Sequence, residues 1–191
     1  APLAGGLMRL FAALPVEGEA RNELQLKLAG YRQQEWPVKW VPDEGLHVTV
    51  KFLGEVEAGQ VTDLRSALRE ASAGTASLTF RPTEVGAFPN FARARVLWAG
   101  YESEPALELM VHRIERATEA LGFPVEGRPF RPHVTLGRLR EGGRLPREAA
   151  EQLESQPLTA GFTTDRLVLF ESRPDRGGVR YTPVDLFPLT R

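Results

Sequence analysis

The chain of 191 residues contains no cysteine, and its formal net charge is only −1. The lack of cysteine excludes a disulfide framework, a zinc site built from thiolates and a thiol nucleophile. The near-zero charge argues against a protein that coats long nucleic acid through a basic surface. Apolar runs are also short, since none approaches the roughly 20 residues of a transmembrane helix. We therefore expect a globular protein of the cytoplasm with no membrane partner.

Histidine is scarce, with three in the whole chain, and two of them lie in the same tripeptide. The copies are His47-Val48-Thr49 and His133-Val134-Thr135. The third histidine, His112, falls on the polar side of a predicted helix, so we interpret it as a surface residue. The repeated tripeptide is the pattern that needs a functional explanation.

Both copies lie in segments that read as β-strands, at residues 46–53 and 130–137. Side chains on a strand alternate between two faces, which puts the His and Thr of each copy on one face, with Cα atoms roughly 6.5–7 Å apart. The apolar residues between them are expected to face the core. They are Val48, Val50 and Phe52 in the first strand, and Val134 and Leu136 in the second.

The remaining pattern mixes helices with short strands. Helical spacing of apolar residues predicts helices over about 20–33, 61–74, 105–122 and 146–156. Because the strands between them can form antiparallel pairs, the fold class is α+β. One motif falls in each half of the chain, which predicts a single bilobal domain over residues 7–191, with antiparallel-sheet lobes, helices outside and a central cleft. Residues 1–6 are interpreted as a flexible leader.

Two imidazoles and two hydroxyls on rigid strands are suited to proton transfer at a phosphate ester. Histidine has an ordinary pKa of about 6.5, so one ring can act as a base and the other as an acid near neutral pH. The hydroxyls of Thr49 and Thr135 can donate hydrogen bonds to the non-bridging oxygens of the phosphate. Such chemistry requires no metal and no other cofactor.

Other sites have weaker support. Two histidines can ligate zinc, but a third ligand is usual and no carboxylate has convincing spacing. Phosphate-binding loops, nucleophile elbows and dinucleotide fingerprints are missing from the sequence. Arginines crowd around the second motif, and Arg131 and Arg138 flank it closely enough for a phosphate contact. Trp40 could stack on a base, although its apolar surroundings favour a core or half-buried position.

At these residues the chain resembles the two-histidine (2H) phosphoesterases. Within that superfamily it is similar to the bacterial and archaeal RNA 2′,3′-cyclic phosphodiesterases, long labelled 2′–5′ RNA ligases. The most specific features are the paired motifs and the letters KFLG after the first. The segments that carry the resemblance are residues 8–12, 47–54, 86–90, 95–100, 131–138 and 181–183.

The resemblance implies a bilobal fold with both motifs facing a cleft, and metal-independent opening of an RNA-terminal 2′,3′-cyclic phosphate to a 2′-phosphomonoester. By motif position His47 would be the general acid on the leaving 3′ oxygen and His133 the base that activates water. Thr49 and Thr135 would hold the phosphate, and Arg138 is a candidate for added charge stabilisation.

The expected partners are RNA with 2′,3′-cyclic phosphate ends or cyclic nucleotides, and the protein is expected to be a monomer. By microscopic reversibility, the same site could join a cyclic-phosphate end to a 5′-hydroxyl. Two alternatives stay open at this point. One is a non-catalytic RNA-end binding protein, and the other is a phosphoesterase that acts on another cyclic or 2′,5′-linked nucleotide.

Overall fold

The structure is a computed structural model, and it describes residues 6–190. Apart from Gly6, the leader expected at residues 1–6 lies outside the described residues, as does Arg191 at the other end. No helix within residues 6–190 has the length and apolar character needed to cross a membrane.

Ten strands and four α-helices make up the described part of the chain. The strands are β1 (Leu7–Pro15), β2 (Val38–Trp40), β3 (His47–Glu57), β4 (Leu78–Phe80), β5 (Pro82–Phe88), β6 (Val96–Tyr101), β7 (His133–Leu139), β8 (Phe162–Thr164), β9 (Arg166–Asp175) and β10 (Gly178–Pro188). The helices are α1 (Gly18–Arg32), α2 (Val61–Ser72), α3 (Pro105–Glu119) and α4 (Arg147–Ser155). The predicted α+β class and the four predicted helices are confirmed, although the second motif strand begins at His133 rather than at Phe130.

Eight of these strands form one sheet, in the order β10-β9-β1-β3-β7-β6-β5, with β2 paired to β7. All of the pairings in this sheet are antiparallel. Its centre is narrow, because β3 and β7 are joined only at Val48 and Val134. This junction divides the sheet into two lobes, which we call lobe 1 (β10, β9, β1 and β3) and lobe 2 (β2, β7, β6 and β5).

Each lobe takes its helices from distant parts of the chain. In lobe 1, α2 contacts α3 and β10, and α3 contacts β3. In lobe 2, α4 contacts β5, and Tyr31 at the end of α1 stacks on Trp40 of β2. The chain crosses repeatedly from one lobe to the other, so the lobes are not the N-terminal and C-terminal halves of the sequence.

The two motif strands share a bulge at the residue that follows the threonine. On β3, Thr49 pairs with Ala13 and Lys51 with Ala12, which leaves Val50 as an extra residue. On β7, Thr135 pairs with Trp98 and Gly137 with Leu97, so Leu136 is the extra residue. An extra residue reverses the alternation of side chains beyond it.

The reversal corrects one prediction. Phe52 was expected in the core, but it is 70% exposed and lies on the same face as His47 and Thr49. Lys51, on the opposite face, is buried instead, with 5% exposure. Val48, Val50, Val134 and Leu136 are buried as predicted.

Candidate active site

The two motifs meet where the lobes join. Val48 and Val134 are direct antiparallel partners and are fully buried. If this register is continued by one residue in each direction, His47 lies opposite Thr135 and Thr49 lies opposite His133. By this register the four polar side chains share one face of the sheet, and each threonine lies beside the histidine of the other lobe.

Both imidazoles are held by the backbone two residues upstream. Nδ1 of His133 lies 2.7 Å from the carbonyl oxygen of Arg131, which can only accept, so Nδ1 carries the proton. In the neutral ring the other nitrogen, Nε2, is then an unprotonated acceptor. His47 has the corresponding backbone hydrogen bond with Gly45, and this bond favours the protonated ring.

Burial lowers the pKa of both histidines. Burial is the largest cause for His47, the Gly45 hydrogen bond opposes it, and the positive charge of His133 acts in the same direction as burial; together they lower the pKa of His47 to about 4. Burial also lowers the pKa of His133, and the nearby Arg138 guanidinium acts in the same direction, whereas the Arg131 hydrogen bond opposes it. Both rings are therefore neutral in the empty site near pH 7.

In lobe 1 the wall of the site consists of aromatic rings from three strands that pack around the ring of His47. The His47 ring lies 4.9 Å from the ring of Phe11 and 5.3 Å from that of Tyr181, which it meets edge-on, while Phe170 is 6.0 Å away. Gly45 permits this packing, because a Cβ atom there would lie 2.9 Å from the Tyr181 ring. These contacts leave His47 half-buried and restrict the direction of its ring.

The His133 side has a similar wall in lobe 2. The ring of Phe88 lies 5.2 Å from that of His133 and perpendicular to it, and the ring of Trp98 is 6.5 Å away. Trp98 lies across Gly86, where a Cβ atom would approach its ring to 2.2 Å. A larger residue at position 86 would displace this wall.

A cavity lies beside His133, and a separate groove lies beside Tyr181, which contacts His47. A cavity of about 260 Å³ beside His133 is lined by Phe88, Trp98, Phe130 and Arg131, among others. A groove of about 840 Å³ runs between the lobes on the side of Tyr181. Five basic side chains from both lobes and three acidic ones line the groove. The basic residues are Arg32, Lys39, Arg138, Arg176 and Arg180, and the acidic residues are Asp43, Glu44 and Asp175. Arg32 is paired with Asp43, and Arg180 with Asp175.

The structure brings together the four predicted motif residues and leaves the other candidates in different settings. Arg138 is exposed in the groove, on the face of β7 that carries His133. Arg131 contributes its carbonyl oxygen, while its side chain is exposed beside the cavity. His112 is exposed on α3, as predicted. Trp40 is half-buried against Tyr31 and Trp36 and lines the groove.

Sequence reasoning missed the aromatic walls and the backbone acceptors. Phe11, Tyr181 and Phe88 come from segments noted for family resemblance, but no spacing rule links them to a histidine. Gly45 and Arg131 had a detectable signal, because each precedes its histidine by two residues. Within residues 6–190, no group of three or more His, Asp and Glu side chains is arranged to hold a metal ion.

A family model, curated relatives and a solved structure all assign this chain to the same family. The family model described as LigT like Phosphoesterase matches residues 14–98 and 101–181. An RNA 2′,3′-cyclic phosphodiesterase of Geobacillus stearothermophilus is 29% identical over 94% of this chain, and the chain spans 56% of that relative's length. One of Methanothermobacter thermautotrophicus is 27% identical over 95% of this chain and 99% of the relative.

Solved structures agree. The crystal structure of Escherichia coli LigT complexed with 3′-AMP is 25% identical in sequence and covers 97% of this chain and 100% of its own, with a TM-score of 0.77. The match of the family model over both motif strands, together with the shared fold, decides the classification. This chain belongs to the LigT-like phosphoesterase family of the 2H phosphoesterase superfamily.

Proposed function

We propose that this protein hydrolyses the 2′,3′-cyclic phosphate at the end of an RNA to a 2′-phosphomonoester. The observation that carries the proposal is the pairing of Val48 with Val134, which puts two histidines and two threonines on one face between the lobes. Relatives named RNA 2′,3′-cyclic phosphodiesterase support the choice of substrate. The crystal complex of E. coli LigT with 3′-AMP shows that a family member binds a nucleotide phosphate.

The two histidines supply both proton transfers. Nε2 of His133 accepts a proton from water as the water oxygen attacks phosphorus, and the P–O3′ bond breaks. His47 donates a proton to the leaving 3′ oxygen, which becomes the free hydroxyl. The roles follow from motif position, and the Nδ1 hydrogen bond of His133 supports its role as the base because it leaves Nε2 free to accept.

The bound substrate favours the protonated form of His47, which the general acid needs. A phosphodiester carries one negative charge, which stabilises a protonated imidazole beside it and so raises the lowered pKa of His47. The hydroxyls of Thr49 and Thr135 donate to the non-bridging oxygens, and Arg138 adds positive charge in the same site. These residues perform every step, so the proposal requires no metal ion.

The test is hydrolysis of a defined oligonucleotide that ends in a 2′,3′-cyclic phosphate, with EDTA present and the phosphate position of the product determined. We expect a 2′-phosphate, and we expect His47→Ala and His133→Ala each to lower kcat by at least about 100-fold. His112→Ala is the matched control, since it removes the third histidine and should leave activity unchanged. Saturable binding without turnover between pH 5 and 9 would instead identify a non-catalytic RNA-end binder.

Ligation is a second candidate activity, favoured by the cavity beside His133. In ligation a 5′-hydroxyl takes the place of water as the nucleophile: the P–O5′ bond forms, the P–O3′ bond breaks, and the proton of the hydroxyl goes to His133. The nucleoside that carries this hydroxyl needs space beside His133. The cavity of about 260 Å³ has Phe88, Trp98 and Phe130 in its walls and offers that space. Incubation of a cyclic-phosphate end with an excess of a 5′-hydroxyl oligonucleotide should therefore give some 2′–5′ linked product.

The oligomeric state, cellular location and substrates that we propose are the ones expected from the sequence. We propose a monomer in the cytoplasm, with RNA ends or cyclic nucleotides as its substrates. A hydrolysis rate per mole that does not change with protein concentration would support the monomer.

A further inference from the structure

Lys39 and Arg138 form a pair of like charges in the groove between the lobes. The two residues are direct partners across the antiparallel strands β2 and β7, and both side chains are exposed. Like charges that stand directly opposite each other on a sheet repel and destabilise the pairing. Within residues 6–190 neither side chain takes part in an ion pair. An anion bound between the two cations would offset their repulsion, so the pair points to a ligand of negative charge.

The pair lies where the two lobes separate. β6 runs along one edge of β7, and the other edge is shared by β3, which pairs at Val134, and β2, which pairs at residues 137–139. β2 therefore takes the place of β3 beside β7 at the point where the groove begins. Because direct partners on a sheet share a face, Lys39 lies on the same face as Arg138 and His133, and it lines the groove.

Arg138 connects Lys39 to the motif residues. It is three residues beyond Thr135, and one of the residues between them is bulged, so the two Cα atoms are separated by about 10 Å or less along β7. The Arg138 guanidinium is close enough to His133 to lower the pKa of that ring, although burial is the larger cause. Lys39, opposite Arg138, thus lies about one nucleotide step away from the phosphate that the motifs would hold.

The groove keeps an excess of positive charge after the ion pairs of the protein itself are formed. Two of its basic residues, Arg32 and Arg180, are paired with carboxylates. Among the residues that the structure describes, four charged residues of the lining form no ion pair: Lys39, Arg138, Arg176 and Glu44. Arg176 stands at a turn, whereas Lys39 and Arg138 stand on paired strands, which fix the position of both backbones relative to the motifs.

We propose that Lys39, together with Arg138, binds the phosphate on the 5′ side of the terminal nucleoside, so that the protein prefers RNA ends to nucleoside 2′,3′-cyclic phosphates. This inference rests on the proposed function, which puts the cyclic phosphate at the two motifs. Positively charged grooves hold single strands by the phosphates of the backbone, independently of sequence. A phosphate between the two side chains accepts hydrogen bonds from both cations and offsets their repulsion.

The experiment compares adenosine 2′,3′-cyclic phosphate with its 5′-phosphorylated form, which has the same reacting group and one further phosphate. The wild type should have a higher kcat/KM for the 5′-phosphorylated substrate, by at least about fivefold and mainly through KM, because the added contact is made before the chemical step as well as during it. Lys39→Gln should remove most of this preference by lowering kcat/KM chiefly for the 5′-phosphorylated substrate. Lys39→Arg should keep the preference, because the positive charge remains.

Lys27→Gln is the matched control, because Lys27 lies on α1 and does not line the groove, so this variant should keep the preference. Urea unfolding checks the fold of Lys39→Gln, whose stability should not fall, since the substitution removes a repulsion. Equal losses with both substrates, or a preference that survives Lys39→Gln, would overturn the proposal, as would a wild type that does not distinguish the two substrates.

The proposed function is tested separately, by turnover of the unphosphorylated substrate by the wild type. The affinities of both substrates for His133→Ala, with and without Lys39→Gln, test the phosphate site without turnover. Binding of the 5′-phosphorylated substrate should be the tighter of the two only where Lys39 is present, and equal affinities in both backgrounds would overturn the proposal.

Discussion

The protonation of the two histidines governs how this site must work. In the empty site the pKa of His47 is lowered to about 4 by burial, and that of His133 is also lowered. Catalysis by an acid and a base needs one protonated and one neutral ring. Near pH 7 both rings are therefore neutral in most molecules whose site is empty. The negative charge of the substrate must then stabilise the protonated form of one ring.

The pH dependence of the reaction should reveal this mechanism. The profile of kcat/KM reports the pKa values of the free enzyme, so its bell should be centred below pH 6.5. The profile of kcat reports the complex, in which the phosphodiester anion raises both pKa values, so its bell should be centred at higher pH. Initial rates at saturating and at low substrate concentration across pH 4–9 would measure both profiles.

The substitution Arg138→Gln tests which limb of the kcat/KM profile belongs to His133. Arg138 lowers the pKa of His133, so Arg138→Gln should move the limb that belongs to His133 to higher pH. Coincident profiles of kcat and kcat/KM in the wild type would contradict the idea that substrate charge prepares the site.

Much of the site was predictable at this scale, and the exceptions have a clear physical origin. The His and Thr residues could be placed because they come before the bulge, where simple alternation still holds. Phe52 could not, because nothing in the letters after His47 identifies Val50 as an extra residue. The packing of Phe11 and Tyr181 on His47 depends on strand neighbours, which a single sequence does not specify.

At the scale of elements, β3 is fixed to α3 and to the segment before β7. The buried Nζ of Lys51 lies 2.8 Å from Oε2 of Glu115 and 2.5 Å from the carbonyl oxygen of Pro124. The same carboxylate accepts a hydrogen bond from the backbone of Glu126. The strand of the first motif is thereby connected to the chain that leads into the second.

Removal of one partner of this pair should be costly. Lys51→Met leaves the Glu115 carboxylate, 14% exposed, without its cation, and such losses typically cost about 3–5 kcal/mol in the free energy of unfolding. The double variant Lys51→Met/Glu115→Leu should recover part of that cost, since no buried charge remains. Urea unfolding of both single variants and the double variant measures the coupling.

A surface pair serves as the reference for that cycle. Arg147 and Glu151 are 2.8 Å apart on α4, but their side chains are 88% and 61% exposed. Replacement of either by alanine should change the free energy of unfolding by less than about 1 kcal/mol. If Lys51→Met were equally mild, the buried pair would not hold β3 in the way described.

At the scale of the whole molecule, the lobes are interleaved. β1 and β3 belong to lobe 1, whereas β2, which lies between them in sequence, pairs with β7 in lobe 2. The motif repeat indicated two lobes and a cleft correctly. It could not show which strands belong to which lobe, because strand partners are set by long-range pairing that short motifs do not encode.

The interleaving also places positive charge from both lobes along one groove. Arg176 stands at the turn between β9 and β10 of lobe 1, and Lys39 and Arg138 come from lobe 2. The lining of the groove has five basic and three acidic side chains, a small excess of positive charge in a chain whose net charge is −1. A groove of this kind is suited to the phosphates of the strand behind the reacting end, and contacts of that type weaken as salt rises.

Salt dependence should therefore report the groove. We expect Arg176→Ala to weaken binding of a cyclic-phosphate oligonucleotide and to reduce the slope of log K against log salt by about 0.7, the value for one lost phosphate contact on a single strand. The binding would be measured in the His133→Ala background, so that the substrate persists during titration. Arg147→Ala, on α4 outside the groove, should leave the slope unchanged. Equal slopes for Arg176→Ala and Arg147→Ala would mean that the RNA leaves the site by a path other than this groove.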